Sequence, residues 1–206
     1  MKVYYEREIK QEWIQNKKVA VIGYGSQGFA HSNNLRDSGV DVVVALRKES
    51  ASVKKAKEAG LKVMSSREAS EWADVIMILV PDHLQAEVYE RDIAPSLGAG
   101  KTVMFAHGFN IHFGQIKPPT DVDISMVAPK GPGHTVRRQY ELGYGVPCLI
   151  AIGNDASGKA RETALGYAAA IGGALDTARE THPATRRRER RRDRGNGLFG
   201  RRRSDR

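Results

Sequence analysis

Residues 18–30, KVAVIGYGSQGFA, constrain this chain more than any other stretch. Val19, Ala20, Val21 and Ile22 form a wholly apolar run, the composition of a parallel strand buried on both faces. Gly23, Gly25 and Gly28 follow with G-x-G-x-x-G spacing, and the residues from Phe29 onward read as a helix. In such a turn the first glycine permits the tight bend and the second admits a pyrophosphate against the backbone. The third lets helix and strand pack closely, and the helix N-terminus offers free N–H groups to the anion. Three glycines also suit an ordinary strand–helix turn. The strand before them and the helix after them are what point to a dinucleotide.

The rest of the first 173 residues repeats the alternation. Helix is expected over 29–38, stopped by Gly39, then strand over 42–46 and a basic helix over 51–59 ended by Gly60. A short strand over 62–64 precedes a helix capped by Ser66 and running to 73, with Glu68 and Glu71 near its positive end. Strand over 74–80 ends at Pro81, helix covers 82–89, and strand covers 102–106. Residues 124–128 and 147–152 are further strand candidates, separated by an irregular loop containing Pro129, Gly131, Pro132 and Gly133. An alanine-rich helix over 156–171 closes the series. Residues 1–17 read as a lead-in whose Trp13 and Ile14 pack against the sheet edge. This alternation predicts an α/β fold with a doubly wound, mainly parallel sheet.

Charge separates the chain into two parts. The whole carries a formal +9, yet residues from Ala174 onward hold 12 Arg against 5 acidic groups, which leaves the first 173 residues at only +2. The basicity that would suggest a nucleic-acid partner therefore lies in the tail, and no specific nucleic acid is assigned to the body. The N-terminus MKVYYEREIKQEW is too charged for a signal-peptide core, and the longest strongly apolar run, 75–80, is far short of a membrane span. Cys148 is the single cysteine, so an intramolecular disulfide is impossible, and in its apolar run it reads as a small buried hydrophobe. A soluble, cytoplasmic protein without a membrane partner is expected.

The second strand indicates which dinucleotide. An NAD-selective site places a carboxylate near the end of that strand to hold the ribose 2′-hydroxyl. Here the strand runs into Arg47, Lys48, Glu49, Ser50, Ala51 and Ser52. Arg47 offers a planar fork of donors to a 2′-phosphate and the hydroxyls of Ser50 and Ser52 complete the shell, with Glu49 taken to face solvent. Alone, this segment also reads as a solvated basic loop capping the next helix. Coupled to the glycine turn, it favours NADPH over NADH.

Five segments in order, GYGSQG at 23–28, LRKESAS at 46–52, VPDHLQ at 80–85, FAHGFNIHF at 105–113 and APKGPGHTVR at 128–137, resemble ketol-acid reductoisomerase in its short form. The resemblance covers about residues 1–173. It implies a Rossmann-like NADPH domain followed by a helical, knotted domain, with the site between them. It implies alkyl migration in 2-acetolactate or 2-aceto-2-hydroxybutyrate, then NADPH-dependent reduction to a 2,3-dihydroxy acid in valine and isoleucine biosynthesis. Two Mg2+ ions act as Lewis acids in that reaction. Carried over by position, Tyr24, Gly25, Ser26 and Gln27 line the pyrophosphate turn, and Arg47, Ser50 and Ser52 hold the 2′-phosphate. Asp82, His83, Leu84, Gln85 and Gly133 line the cofactor, His107 matches the catalytic histidine, and Lys130 belongs to the polar active-site network. Without the resemblance, Asp82 reads as a helix cap, His107 as a strand-end histidine and Lys130 as a surface lysine. His112 and His134 are given no chemistry.

The pattern breaks after Gly173. The two magnesium carboxylates implied by the resemblance fall, without gaps, at Arg190 and Arg194, and a guanidinium cannot ligate a hard dication. The helical domain that the resemblance implies is expected to be absent, and Gly197-Leu198-Phe199-Gly200 stands displaced from the acidic segment in which the family carries Leu-Phe-Gly. With few apolar residues and blocks of arginine, 174–206 is expected to be disordered. We read it as a shifted frame, testable by translating the other frames of the coding DNA. The expectation is a reductoisomerase by descent whose own turnover is impaired. The alternative is an isolated NADPH-binding module. Another NADP-dependent dehydrogenase is disfavoured by the 105–113 and 128–137 segments. The family forms homo-oligomers, an assembly doubtful for this length of chain.

Overall fold

The computed structural model describes residues 3–174. The boundary expected after Gly173 and the expectation of disorder for the tail concern residues outside those described. Seven strands form one sheet: β1 (Lys18–Ile22), β2 (Asp41–Ala45), β3 (Lys62–Met64), β4 (Val75–Ile78), β5 (Thr102–Phe105), β6 (Asp123–Pro129) and β7 (Cys148–Asn154). Their order is β3-β2-β1-β4-β5-β6-β7. The first six are parallel, and β7 pairs antiparallel with β6, from Pro129↔Cys148 to Ile124↔Asn154. This is the doubly wound order in which the direction of winding reverses between β1 and β4, and ligands bind at the carboxyl ends of the strands beside that reversal.

The period of two along each strand divides the core. Val19, Val21, Val42, Val44, Val75, Met77 and Met104 face one layer, while Ala20, Ile22, Val43, Ala45, Ile76, Ile78, Val103 and Phe105 face the other. The first layer is covered by α2 (Ser26–Asp37), α3 (Ser52–Glu58) and α8 (Ala160–Ala170) through Leu35, Ala56, Ala164, Tyr167 and Ala168. The second is covered by α4 (Ser66–Trp72) and by a π-helical turn at Tyr89–Ile93 that follows α5 (Asp82–Val88), through Ala69, Tyr89 and Ile93.

Several boundaries differ from the sequence reading, each for a local reason. α2 begins at Ser26, inside the glycine motif, because Gly25 already sits as its N-cap. Gly39, at φ +81°, stops that helix as expected. The cap of α4 is Ser65 rather than Ser66: its hydroxyl accepts the Glu68 N–H while the Glu68 carboxylate accepts the Ser65 N–H, a reciprocal capping box. The interval between β6 and β7 contains a regular helix, α7 (Gly133–Glu141), where the density of proline and glycine suggested none. Ile14 lies on α1 (Glu12–Gln15) and packs against α8 at Gly166, where a Cβ would stand 3.2 Å from that of Ile14, within the core layer that includes the sheet. Cys148 is half-buried, and burial pushes its thiol up to about 12. Among the described residues no helix is long and apolar enough to cross a membrane.

Candidate functional site

The loops that follow β1, β2, β4, β5 and β6 emerge at one edge of the parallel sheet, and with the helix starts behind them they carry the cofactor-binding and catalytic candidates named above. Gly23 continues the ladder, its N–H donating to the Ala45 carbonyl at 3.0 Å, and it turns at φ +106°. A side chain there would be strained, and its Cβ would meet the Leu79 backbone at 3.2 Å. Gly25 differs: a Cβ on it meets nothing within 4 Å, so the space in front of the turn is open among the described residues. Gly28 closes against the strand, where a Cβ would press into the Gly23 carbonyl group, 2.9 Å from its carbon.

The side chains on the turn have divided roles. Ser26 is exposed beside Gly25, at the N-terminus of a twelve-residue helix. Tyr24 turns its ring into the core, accepts a hydrogen bond from Asn33 Nδ2 at 3.1 Å and meets Phe29 edge to face. Gln27 donates through Nε2 to the Gly131 carbonyl at 2.9 Å, while its Oε1 is buried with no protein partner among the described residues. A buried acceptor without a protein partner is a group that ordered water commonly satisfies.

Gly133, at the start of α7, is buried. A Cβ on it would overlap the Ser26 carbonyl and stand 2.7 Å from the Gln27 nitrogen. Its bare Cα thus seats α7 directly on the glycine turn. Lys130, between β6 and α7, is exposed, and its N–H donates to the Pro147 carbonyl at 2.9 Å.

After β2, Arg47 is exposed, and a tight turn gathers the two serines behind it. The Ser50 N–H donates to the Arg47 carbonyl at 2.9 Å, and the Ser52 N–H to the Ser50 hydroxyl at 3.3 Å. The two hydroxyls and the guanidinium therefore lie on one short loop next to the glycine turn, since β2 neighbours β1.

After β4, Asp82, His83 and Leu84 are exposed while Gln85 turns inward. After β5, the His107 imidazole is exposed, its Nδ1 4.0 Å from Asp82 Oδ2 and accepting the Phe109 N–H at 3.2 Å. That acceptor role places the proton of the neutral ring on Nε2. Asn110, on the short helix α6 (Phe109–His112), was not singled out from sequence, yet it is buried and joins the two loops. Its signal, an asparagine three residues after a strand-end histidine, is visible only once the partner loop is known. His112 and His134 are exposed.

The site fits a dinucleotide: an open glycine, a helix N-terminus and, one strand away, a cationic loop. Among the described residues no group of three or more His, Cys, Asp or Glu side chains is placed to hold one.

The NADPH-binding domain family of acetohydroxy acid isomeroreductase matches residues 13–176. A curated ketol-acid reductoisomerase (NADP(+)) of Corynebacterium urealyticum is 60% identical over 171 residues, which are 83% of this chain and 51% of that protein. The chain thus spans about half the length of this relative. Among solved structures, an NADH-preferring ketol-acid reductoisomerase from an uncultured archaeon is 43% identical with a TM-score of 0.82, over 85% of this chain and 54% of that one. A Plasmodium falciparum pyrroline carboxylate reductase solved with NADP bound, at 17% identity and TM-score 0.60 over 77% of this chain and 56% of that one, shares the fold alone. The matched span contains the glycine turn, the Arg47 loop, the Asp82 and His107 loops and the Lys130 segment, and on that match the chain belongs to the acetohydroxy acid isomeroreductase family, through its NADPH-binding domain.

Proposed function

We propose that this chain supplies the NADPH-binding half of a ketol-acid reductoisomerase, a cytoplasmic enzyme of valine and isoleucine biosynthesis. Its substrates would be 2-acetolactate and 2-aceto-2-hydroxybutyrate, rearranged and reduced to 2,3-dihydroxy acids. The observation that carries the reading is the meeting, at one sheet edge, of a glycine turn with open space before Gly25, the Arg47 loop on the neighbouring strand, and His107 two strands away on the other side. Bound NADPH supplies the hydride for the reductive half of the reaction.

The residues divide the work of holding it. Gly25, Ser26 and the N–H groups opening α2 receive the pyrophosphate, and Gln27 keeps that turn fastened to Gly131. Arg47, Ser50 and Ser52 hold the 2′-phosphate. Asp82, His83 and Leu84 line the cofactor from the β4 side, with Gln85 and Gly133 supporting from beneath. His107 exchanges a proton near the nicotinamide, and Lys130 adds positive charge at the same edge. The Mg2+ requirement and the homo-oligomeric assembly come from the family resemblance. No step is assigned through the metal, for which the described residues offer no ligand group.

The test is a fluorescence titration with NADPH and NADH. Wild type binds NADPH more tightly. Arg47→Glu, which replaces charge-assisted donors by a repelling carboxylate, weakens NADPH by about 10- to 100-fold and leaves NADH little changed. An unaltered NADPH affinity would refute the 2′-phosphate assignment. With Mg2+ and 2-acetolactate, the 206-residue chain is expected to consume no NADPH; robust turnover would refute the reading that its metal ligands are missing.

A further inference from the structure

Asn110 is 3% exposed and Gln85 4% exposed, and neither amide reaches the open face of the site. Asn110 Nδ2 donates to the Asp82 carbonyl at 3.1 Å and to Gln85 Oε1 at 2.9 Å. Gln85 Nε2 donates in turn to the Val80 carbonyl at 3.0 Å and to Asp82 Oδ1 at 3.1 Å. The second Asp82 oxygen is the one 4.0 Å from His107 Nδ1. The pattern determines both amide orientations, because flipping either would set a carbonyl oxygen against acceptors.

This bridge joins the segments that follow the paired strands β4 and β5. Helix α6 has only four residues, too few for a stable isolated helix, and Asp82 and His107 are both exposed. His107 accepts the N–H of Phe109, the residue beside Asn110, so the imidazole and the bridging amide ride on the same short segment. An apolar pair could fill the same volume without fixing an angle. A fully satisfied polar network specifies one arrangement, since any other strands a buried donor or acceptor.

We propose that Asn110 is a positioning residue for His107, acting through Gln85 to lock the Asp82 and His107 loops in one relative arrangement at the cofactor edge. What His107 then does there rests on the reductoisomerase reading; the lock itself does not.

The experiment uses the 206-residue chain labelled with 15N-histidine. The imidazole 1H–15N signals are recorded at a pH where His107 is neutral, and the NADPH dissociation constant is measured in parallel. In wild type His107 gives one set of signals with Nδ1 as the unprotonated nitrogen. In Asn110→Ala that set splits or shifts toward a tautomer mixture, while His134, on α7, is unmoved. If the locked arrangement falls to between a tenth and a third of the population, the NADPH constant rises about three- to tenfold. Gln85→Glu is nearly isosteric and keeps the acceptor for Asn110 but loses the donor toward Asp82; it should reproduce the His107 change. Should Asn110→Ala fail to fold, Asn110→Ser, which keeps a shorter donor, decides by the same readout. A folded variant at either position with His107 signals identical to wild type overturns the proposal. Failure of wild type to bind NADPH would overturn the function proposed above and leave the His107 readout intact.

Discussion

Gly133→Ala and Gly25→Ala separate two meanings of a glycine at this site. At Gly133 an added methyl would overlap the Ser26 carbonyl and stand 2.7 Å from the Gln27 nitrogen, where ordinary contact begins near 3.4 Å. Both obstacles are backbone, so relief requires α7 to retreat from the glycine turn by roughly 1 Å. That retreat stretches the 2.9 Å bond from Gln27 to the Gly131 carbonyl beyond useful length. Overpacking strain of about 1–3 kcal/mol and a lost hydrogen bond of about 1 kcal/mol are offset in part by the better helix propensity of alanine. A net loss of about 1–3 kcal/mol lowers the melting temperature by roughly 2–12 °C for a chain of this size. At Gly25 the methyl meets no protein atom within 4 Å, and φ −73° suits alanine. That variant should melt within a degree or two of wild type yet bind NADPH at least tenfold more weakly, its methyl occupying the space left for the pyrophosphate. Thermal melting without cofactor, followed by NADPH titration, reads both. If Gly133→Ala kept its melting temperature and lost only NADPH affinity, Gly133 would be a ligand contact and the packing argument would be wrong.

His31 is 0% exposed on α2, its Nδ1 bonded to the Tyr167 hydroxyl at 2.9 Å and its Nε2 without a partner among the described residues; burial lowers its pKa from 6.5 to about 3. The folded imidazole therefore stays neutral while the unfolded one protonates below about 6.5. Stability should fall by up to about 1.4 kcal/mol per pH unit from there toward pH 3, where the folded state begins to bind the proton too. Urea unfolding at pH 7, 6 and 5 should show this slope, and His31→Phe should flatten it; an identical pH profile in the variant would exclude His31 as its source. Lys101 Nζ donates to the carbonyls of Ser70, Glu71 and Ala73 at 2.6, 3.1 and 2.8 Å, capping the end of α4. Lys101→Met should cost about 1–2 kcal/mol in denaturant unfolding, and a loss below 0.5 kcal/mol would show that water replaces those bonds without penalty. In the coding DNA, the other reading frames after Gly173 should contain an acidic Asp/Glu pair; its absence from both would end the frame-shift proposal.

Much of the fold was legible because its signals are local. The apolar run 19–22 buries both faces of a central strand, and Gly39 terminates α2 at positive φ. The reading went astray where a local signal was ambiguous. Adjacent Ser65 and Ser66 both suit a cap, and the Glu68 spacing that selects Ser65 was available in the sequence. In α7, the density of Gly131, Pro132 and Gly133 obscured Val136 and Tyr140, a buried pair four residues apart on one helical face. His31, Ser32, Asn33 and Asn34 make α2 look exposed, yet all four are buried. Their partners include Tyr167 and Ile171 on or just beyond α8, more than 130 residues away.

The sequence by itself determined the alternation of strands and helices, the glycine turn, the cationic loop after β2 and the family. Each depends on residue type and spacing within one or two elements, which the backbone's two periodicities translate directly into faces. Only the tertiary structure decided that Gly25 opens onto free space while Gly133 is closed by the Ser26 carbonyl, and that Asn110 and Gln85 join the His107 and Asp82 loops. Those properties belong to pairs of groups 25 or more residues apart, and nothing in either segment alone encodes the distance between them. The glycine turn is a local instruction; the site around it is the product of five loops meeting where a parallel sheet must end.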